Sequence, residues 1–291
     1  MPEAYAHVKY SKIAHNLSKS VNYNLKAFKA GAQGPDVFFC YRIWTKNRKV
    51  DLPKMANTLH NYRSGDFLLS MIKNAKTNAQ KGYVQGFLCH YALDTNVHPY
   101  IEFVSSKGQA YDMPKGHGFY EIALDTKLFL EDYGYRTKPH KITNANLQTN
   151  DLADISRLLK NAFDNIDIKD IPIDAISDTF HHFDFLHSLF YSRFGGKKII
   201  FKIIENVFMR KKGFINCHVV ITKMKPNLPE TWNHLVNNKE YTGGVEPLLK
   251  QGTMDAVKYL IAVEKYWNNN ISLEEIKEII GNKNYVTGLE M

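Results

Sequence analysis

Two histidine–carboxylate pairs spaced four residues apart constrain this chain more than any other feature: His90 with Asp94, and His117 with Glu121, with His98 between them. On a helix, residues four apart lie one above the other, so each pair can offer a nitrogen and an oxygen to one ion. The segment from about Lys81 to Asp94 is apolar on most sides through Tyr83, Val84, Phe87, Leu88, Ala92 and Leu93. A helix of that kind belongs at the centre of a fold. Burying His90 and Asp94 there is costly without compensation, and a cation between them supplies it. Either pair alone reads sooner as a surface ion pair, a common feature of helices at this spacing. Both within one short span read as a cage between facing helices, and imidazole with carboxylate suits zinc, in more than one copy.

Asn96 and Pro99 are expected to end the first of these helices and leave His98 on the following turn. After a loop rich in Gly and Pro, His117 opens a second helix running to about Asp132. Asp125, one turn beyond Glu121, is a candidate acceptor for fixing a ligand histidine. Upstream, Val8, Ile13, Ala14, Leu17, Val21 and Leu25 recur at helical spacing and predict a helix from His7 to about Leu25. His7 or His15 can face inward from it. Gly31, Gly34 and Pro35 then break the chain before Asp36, which either caps the next helix or reaches a metal from a rigid loop. No Gly-Lys-Ser/Thr follows, which excludes a phosphate-cradling P-loop. His60 precedes Ser64, an expected N-cap for a helix whose apolar face is Phe67, Leu68, Met71, Ile72 and Ala75.

Beyond residue 145 the pattern predicts helices at about 150–165, 174–193, 197–211, 253–268 and 272–280, with a weak strand signal at 216–222 that reads equally as a short helix. His181, His182, Asp184 and His187 lie among phenylalanines and leucines and read as polar edges of an aromatic core helix. The basic amphipathic stretch 197–212 is expected to cap the core, with an anionic membrane as its other use. The fold class is therefore all-α. At 291 residues and 44% hydrophobic composition the chain can bury a real core. It reads as a metal-binding helical core over 1–145, with the helices of 146–291 packed on the same domain. No apolar run reaches the ~18 residues a membrane span needs. The start lacks a hydrophobic signal core and the three cysteines are widely spaced, so a cytoplasmic setting is expected. Residues 1–145 carry 20 Lys and Arg against 11 Asp and Glu, whereas 146–291 carry 18 of each. A positive field over the metal half draws in a phosphate-bearing substrate or an anionic lipid surface, unless it is ordinary solvated surface.

The ordered set AHV (His7), GAQGPD (Asp36), LHNY (His60), GFLCHYALDTNVHPY (His90, Asp94, His98) and HGFYEIALD (His117, Glu121) resembles the bacterial zinc-dependent phospholipase C family, which shares its fold with the P1-type nucleases. The resemblance covers roughly residues 5–130; the second half is similar only loosely, through features such as the Trp232 segment. It implies a multi-helical bundle with additional C-terminal helices and a cluster of up to three zinc ions. By it, Asp36, His60, His90 and Asp94 hold one zinc, His98, His117 and Glu121 a second, and His7 with bridging Asp94 contributes to a third. In secreted members a processed N-terminal tryptophan completes the third ion. This chain starts Met1-Pro2, which leaves that ion open.

The implied activity is hydrolysis of a phosphodiester, with Asp36 as both ligand and proton acceptor and a phospholipid as substrate. The alternatives are a P1-type nuclease or 3′-nucleotidase, for which Tyr62, Tyr100 and Phe119 are candidate base-stacking rings, and a non-catalytic protein held together by zinc. No protein partner is indicated.

Overall fold

The computed structural model describes residues 4–45, 47–226 and 229–291. The chain is all-α apart from a short antiparallel pair of strands. In order, the elements begin with α1 (Ala4–Ser18), α2 (Leu25–Gly31), a 3-10 helix (Gly34–Cys40), α3 (Leu52–Asn61) and α4 (Ser64–Asn74). The central pair follows, α5 (Asn78–Ser105) and α6 (Gly116–Tyr133), and then α7 (Pro139–Thr143), α8 (Thr149–Asn165), α9 (Ile173–Phe190) and α10 (Gly196–Ile203). The strands β1 (Thr231–Asn233) and β2 (Glu240–Thr242) precede α11 (Val245–Trp267) and α12 (Leu273–Ile280).

Helix α5 is the axis. It starts at a capping box in which Thr77 and Gln80 satisfy each other's backbone N–H, and it is buried almost all round, as its apolar sequence requires. Helices α2 and α11 lie along it, and α1, α6 and α8 also pack on it. The approach of α2 is backbone to backbone: a Cβ on Gly86 would lie 2.0 Å from the Phe28 carbonyl oxygen, and one on Gly31 2.0 Å from that of Tyr83. Phe38, Phe67, Phe87 and Phe163 meet where the 3-10 helix, α4, α5 and α8 converge, forming the aromatic part of the core.

Several expectations are corrected. Helix α5 does not stop at Asn96 and Pro99 but runs through to Ser105, so His98 is on the helix rather than on a turn after it. Val97 before the proline and Tyr100, Ile101 and Val104 beyond it are buried, and that packing outweighs one lost N–H. Helix α1 ends at Ser18, not near Leu25: Lys19 adopts φ 54°, and Asn24 accepts from the N–H groups of Lys26 and Ala27 to start α2 afresh. Leu17, Val21 and Leu25, expected on an apolar stripe, are exposed. Ser64 does not cap α4; it is that helix's first residue, and its hydroxyl donates to the Lys283 carbonyl at 2.7 Å. Of the two readings of 216–222, the short helix is found, as a 3-10 turn over Asn216–His218 followed by extended chain, and the strand is not. The actual strands are three residues long, too short for a period-two signal.

Helix α10 and the π-helical turn Ile204–Met209 after it do not cap the core. No residue of α10 is buried. Gly195, at φ 77°, redirects the chain after α9 so that only one side, carrying Phe201 and Glu205, faces the protein.

Candidate metal centre

One face of α5 carries His90, Asp94 and His98 at successive turns, and four other elements bring their side chains to it. Asp94 sits in the middle. Its Oδ2 is 2.9 Å from His90 Nε2 and 4.0 Å from His60 Nε2, and its Oδ1 is 3.2 Å from His7 Nε2 and 3.7 Å from His98 Nε2. His7 comes from α1 and His60 from the last turn of α3. The 3-10 helix contributes Asp36, 3.2 Å from His60 Nε2 and 3.3 Å from His90 Nε2. Helix α6 contributes Glu121, whose Oε1 is 3.0 Å from His117 Nε2 and 3.3 Å from His98 Nε2. All eight residues named from the sequence therefore converge. Seven are buried, and His117, 34% exposed at its side chain, forms the edge that meets solvent.

Local chemistry explains the aim of these groups. The expectation that Asp36 caps its own helix fails: neither carboxylate oxygen makes a hydrogen bond among the described residues, and both face imidazoles. Gly34 makes that placement possible at φ 54°, where a Cβ would lie 2.2 Å from the His90 ring. Replacing Gly34 by Ala should displace His90, lowering zinc content and any hydrolysis together by at least tenfold, with the helical circular dichroism retained; zinc analysis of the variant checks it. Asp125 does not fix a ligand histidine. Its oxygens accept from the backbone N–H groups of Tyr5, at 2.8 Å, and Ala6, at 2.6 Å, fastening the first turn of α1 to α6 and setting the position of His7.

Three of the histidines have their outer nitrogen committed. Nδ1 of His60 faces the Ala56 carbonyl at 2.7 Å, Nδ1 of His90 the Ala32 carbonyl at 3.2 Å, and Nδ1 of His117 the Glu102 carboxylate at 2.8 Å. A carbonyl oxygen can only accept, so Nδ1 of His60 and of His90 carries a proton and Nε2 is the atom each ring turns inward. Glu102 went unrecognised in the sequence. Its signal is its place on α5, one turn beyond His98.

The arrangement fits a metal. His90 Nε2, both Asp36 oxygens, Asp94 Oδ2 and Glu121 Oε2 are buried and find no hydrogen-bond partner, although Nε2 and carboxylate oxygens face one another at 2.9–3.3 Å. Each such group costs about 1–3 kcal/mol left as it is, and a cation among the lone pairs removes that cost. His7, Asp36, His90 and Asp94 each offer an atom within 4.8 Å of the others, as do His98, His117 and Glu121. Nitrogen and oxygen donors in this proportion suit zinc. A cavity of about 30 Å³ touches His7, Asp94, His98 and Glu121 on one side and is otherwise walled by Ala6, Leu93, Val97, Ile101, Leu124 and Leu249.

Charge is concentrated here. Burial pushes the Asp94 carboxyl up, but His90, His98 and His7 outweigh it and hold it well below the usual carboxylate range. Burial opposes charge on His117, yet Glu121 and Glu102 carry its pKa up to about 10. Burial raises Asp125 to about 7.

The remaining candidates lie elsewhere. His15 is half-buried edge-on to Phe28, and His187 stacks on Phe183 within α9, as an aromatic core helix predicts. Of the candidate base-stacking rings, Tyr100 is buried against Trp232 and Tyr120 and cannot receive a base. Tyr62 is exposed, and Phe119 lines a surface groove.

Comparisons with curated proteins and with solved structures gave no match. A family model described as zinc-dependent phospholipase C matches residues 6–169, which span every element of the centre. With that match running across more than half its length, the chain belongs to the zinc-dependent phospholipase C family.

Proposed function

We propose that this protein is a zinc-dependent hydrolase of phosphodiester bonds and that its substrate is a phospholipid. The observation that carries this reading is the set of buried, unpartnered imidazole nitrogens and carboxylate oxygens gathered around Asp94. Asp36, His60, His90 and Asp94 would hold one zinc, and His98, His117 and Glu121 a second. His7, beside the same Asp94, would contribute to a third. Bound zinc supplies Lewis acidity, which activates water for in-line attack on phosphorus and offsets charge gathering on the phosphoryl oxygens.

The chain's own groups do the rest. His60, His90 and His117 are oriented by the acceptors behind them and need no reorganisation when substrate arrives. Asp36 has no hydrogen bond to give up and takes the proton of the attacking water. The half-exposed edge at His117 is where a phosphate group enters. The excess of Lys and Arg in residues 1–145 attracts such a substrate. The buried cysteines Cys40, Cys89 and Cys217 suit a reducing, cytoplasmic setting. No helix among the described residues is long and apolar enough to cross a membrane.

Zinc analysis of the purified protein followed by a panel of a lecithin analogue and single-stranded DNA tests the reading. Expected are at least two zinc ions per chain and turnover of the lecithin analogue, lost in His90→Ala and Glu121→Ala. Hydrolysis that persists after these variants lose zinc overturns it. Turnover of DNA alone moves the site to the nuclease chemistry, and tight zinc with neither substrate hydrolysed makes the centre structural.

A further inference from the structure

The segment from Arg193 to Lys212 takes no part in the metal centre, yet it concentrates two properties seldom left together at a surface. It carries seven lysines and arginines against one acid, Glu205. That acid is buried and already spent: its carboxylate accepts from the backbone N–H groups of Gly213, Ile215 and Asn216. Seven cations against one carboxylate leave the segment with a formal net charge of +6.

The same segment exposes an apolar ridge. Ile199, Ile200 and Ile203 fall on one side of α10 by helical spacing, and they are 67%, 57% and 54% exposed. Val207 continues the ridge at 62%, and Phe194 stands before it at 90%. Lys198 and Lys202 follow one flank of the stripe, and the Arg193 guanidinium lies 5.3 Å from the Phe194 ring centroid. At the foot of α10 is a groove of about 960 Å³ in which Arg193, Lys198, Lys202, Lys212 and Lys223 outnumber the one acid, Glu205, among apolar and neutral polar side chains. Lys198 has no acidic partner among the described residues, and burial lowers its ammonium pKa to about 8. Phe119 lines the same groove two residues beyond His117 on α6, so groove and metal centre share the first turn of that helix.

We propose that α10 and the π-helical turn after it dock this protein on an anionic phospholipid bilayer. The aliphatic ridge enters the boundary between headgroups and acyl chains, and the flanking lysines and arginines meet the headgroup phosphates. A second copy of the chain is the poorer occupant, because a two-fold contact would set this positive face against itself. Docking needs no turnover, so it stands or falls independently of the hydrolytic reading.

Vesicle co-sedimentation of the intact protein tests the proposal, with phosphatidylcholine alone and with about one third phosphatidylglycerol added. Binding to the anionic vesicles should exceed binding to the neutral ones by about tenfold or more and should fall as salt is raised. Ile200→Ser combined with Ile203→Ser should reduce anionic-vesicle binding by about tenfold. Its unfolding temperature and zinc content should stay unchanged, because α10 buries none of its residues. Lys198→Gln with Lys202→Gln should remove most of the preference for anionic vesicles. Equal binding to both vesicle types, or binding indifferent to both variants, overturns the proposal. So does a wild-type dimer that the isoleucine variant converts to a monomer.

Discussion

Replacing Asp94 by Asn should strip zinc from the protein and lower phosphodiester hydrolysis by about a thousandfold. Loss of an outer hydrogen-bond partner alone costs a metal site about 10–100-fold, and Asp94 stands inside the contacts rather than behind them. Its two oxygens are the nearest carboxylate atoms to His90 and His7, and they lie within 4.0 Å of His60 and His98 as well. Asparagine keeps the volume but replaces one lone-pair oxygen with an N–H donor and removes the charge. Breaking a buried charged set from one side costs about 3–5 kcal/mol. Zinc per chain, measured beside the rate on a soluble short-chain lecithin, reads the effect directly. Glu102→Gln is the internal contrast: it touches only the outer nitrogen of His117, so zinc binding should weaken by only about 10–100-fold. An Asp94→Asn protein that keeps its zinc and its rate would show that the centre is not organised around this carboxylate.

The parts of the centre legible in the sequence are those in which local spacing and final geometry coincide. His90 and Asp94, or His117 and Glu121, sit four apart on helices, the first pair among apolar neighbours that mark it as buried, so their convergence is written into one element each. Asp36 is different. Whether it caps or points inward depends on Gly34 passing against the His90 ring, a contact between segments far apart in the chain. Asp125 shows the spacing rule overreaching: it shares a face with Glu121, yet the N-terminus of α1 reaches it first. Pro99 misleads because a local cost is set against burial that only the assembled fold supplies. Helix α10 misleads in the opposite sense. Periodicity announces an apolar face but cannot say what covers it, and among the described residues nothing does.

Removing zinc with a chelator should lower the unfolding temperature, and the gap between metal-loaded and metal-free protein should widen as pH rises. In the metal-free chain the folded-state pKa of His117 lies near 10 against an ordinary 6.5. Its pairing with Glu121 and Glu102 therefore contributes fully below about 6.5 and is lost as pH climbs through about 10. Asp125, raised from 3.8 to about 7, works in the same direction, because its burial is cheapest while it holds a proton. Asp94 is depressed and acts oppositely: its contribution is present above 3.8 and is lost on acidification below that value. The metal-free protein should thus be most stable in mild acid and weaken steadily towards alkaline pH. Zinc needs the imidazole lone pairs that protons occupy, so its stabilisation grows over the same interval. At zinc about a thousandfold above its dissociation constant the gain is about 4 kcal/mol, or roughly 8 °C in unfolding temperature for a chain of this size. Paired thermal scans with and without chelator, at about pH 5.5 and about pH 8.5, separate the cases. His117→Gln should flatten the alkaline decline of the metal-free protein. A gap that stays constant or narrows with rising pH contradicts the proton-for-metal exchange at His117, and with it the assignment of that ring as a ligand.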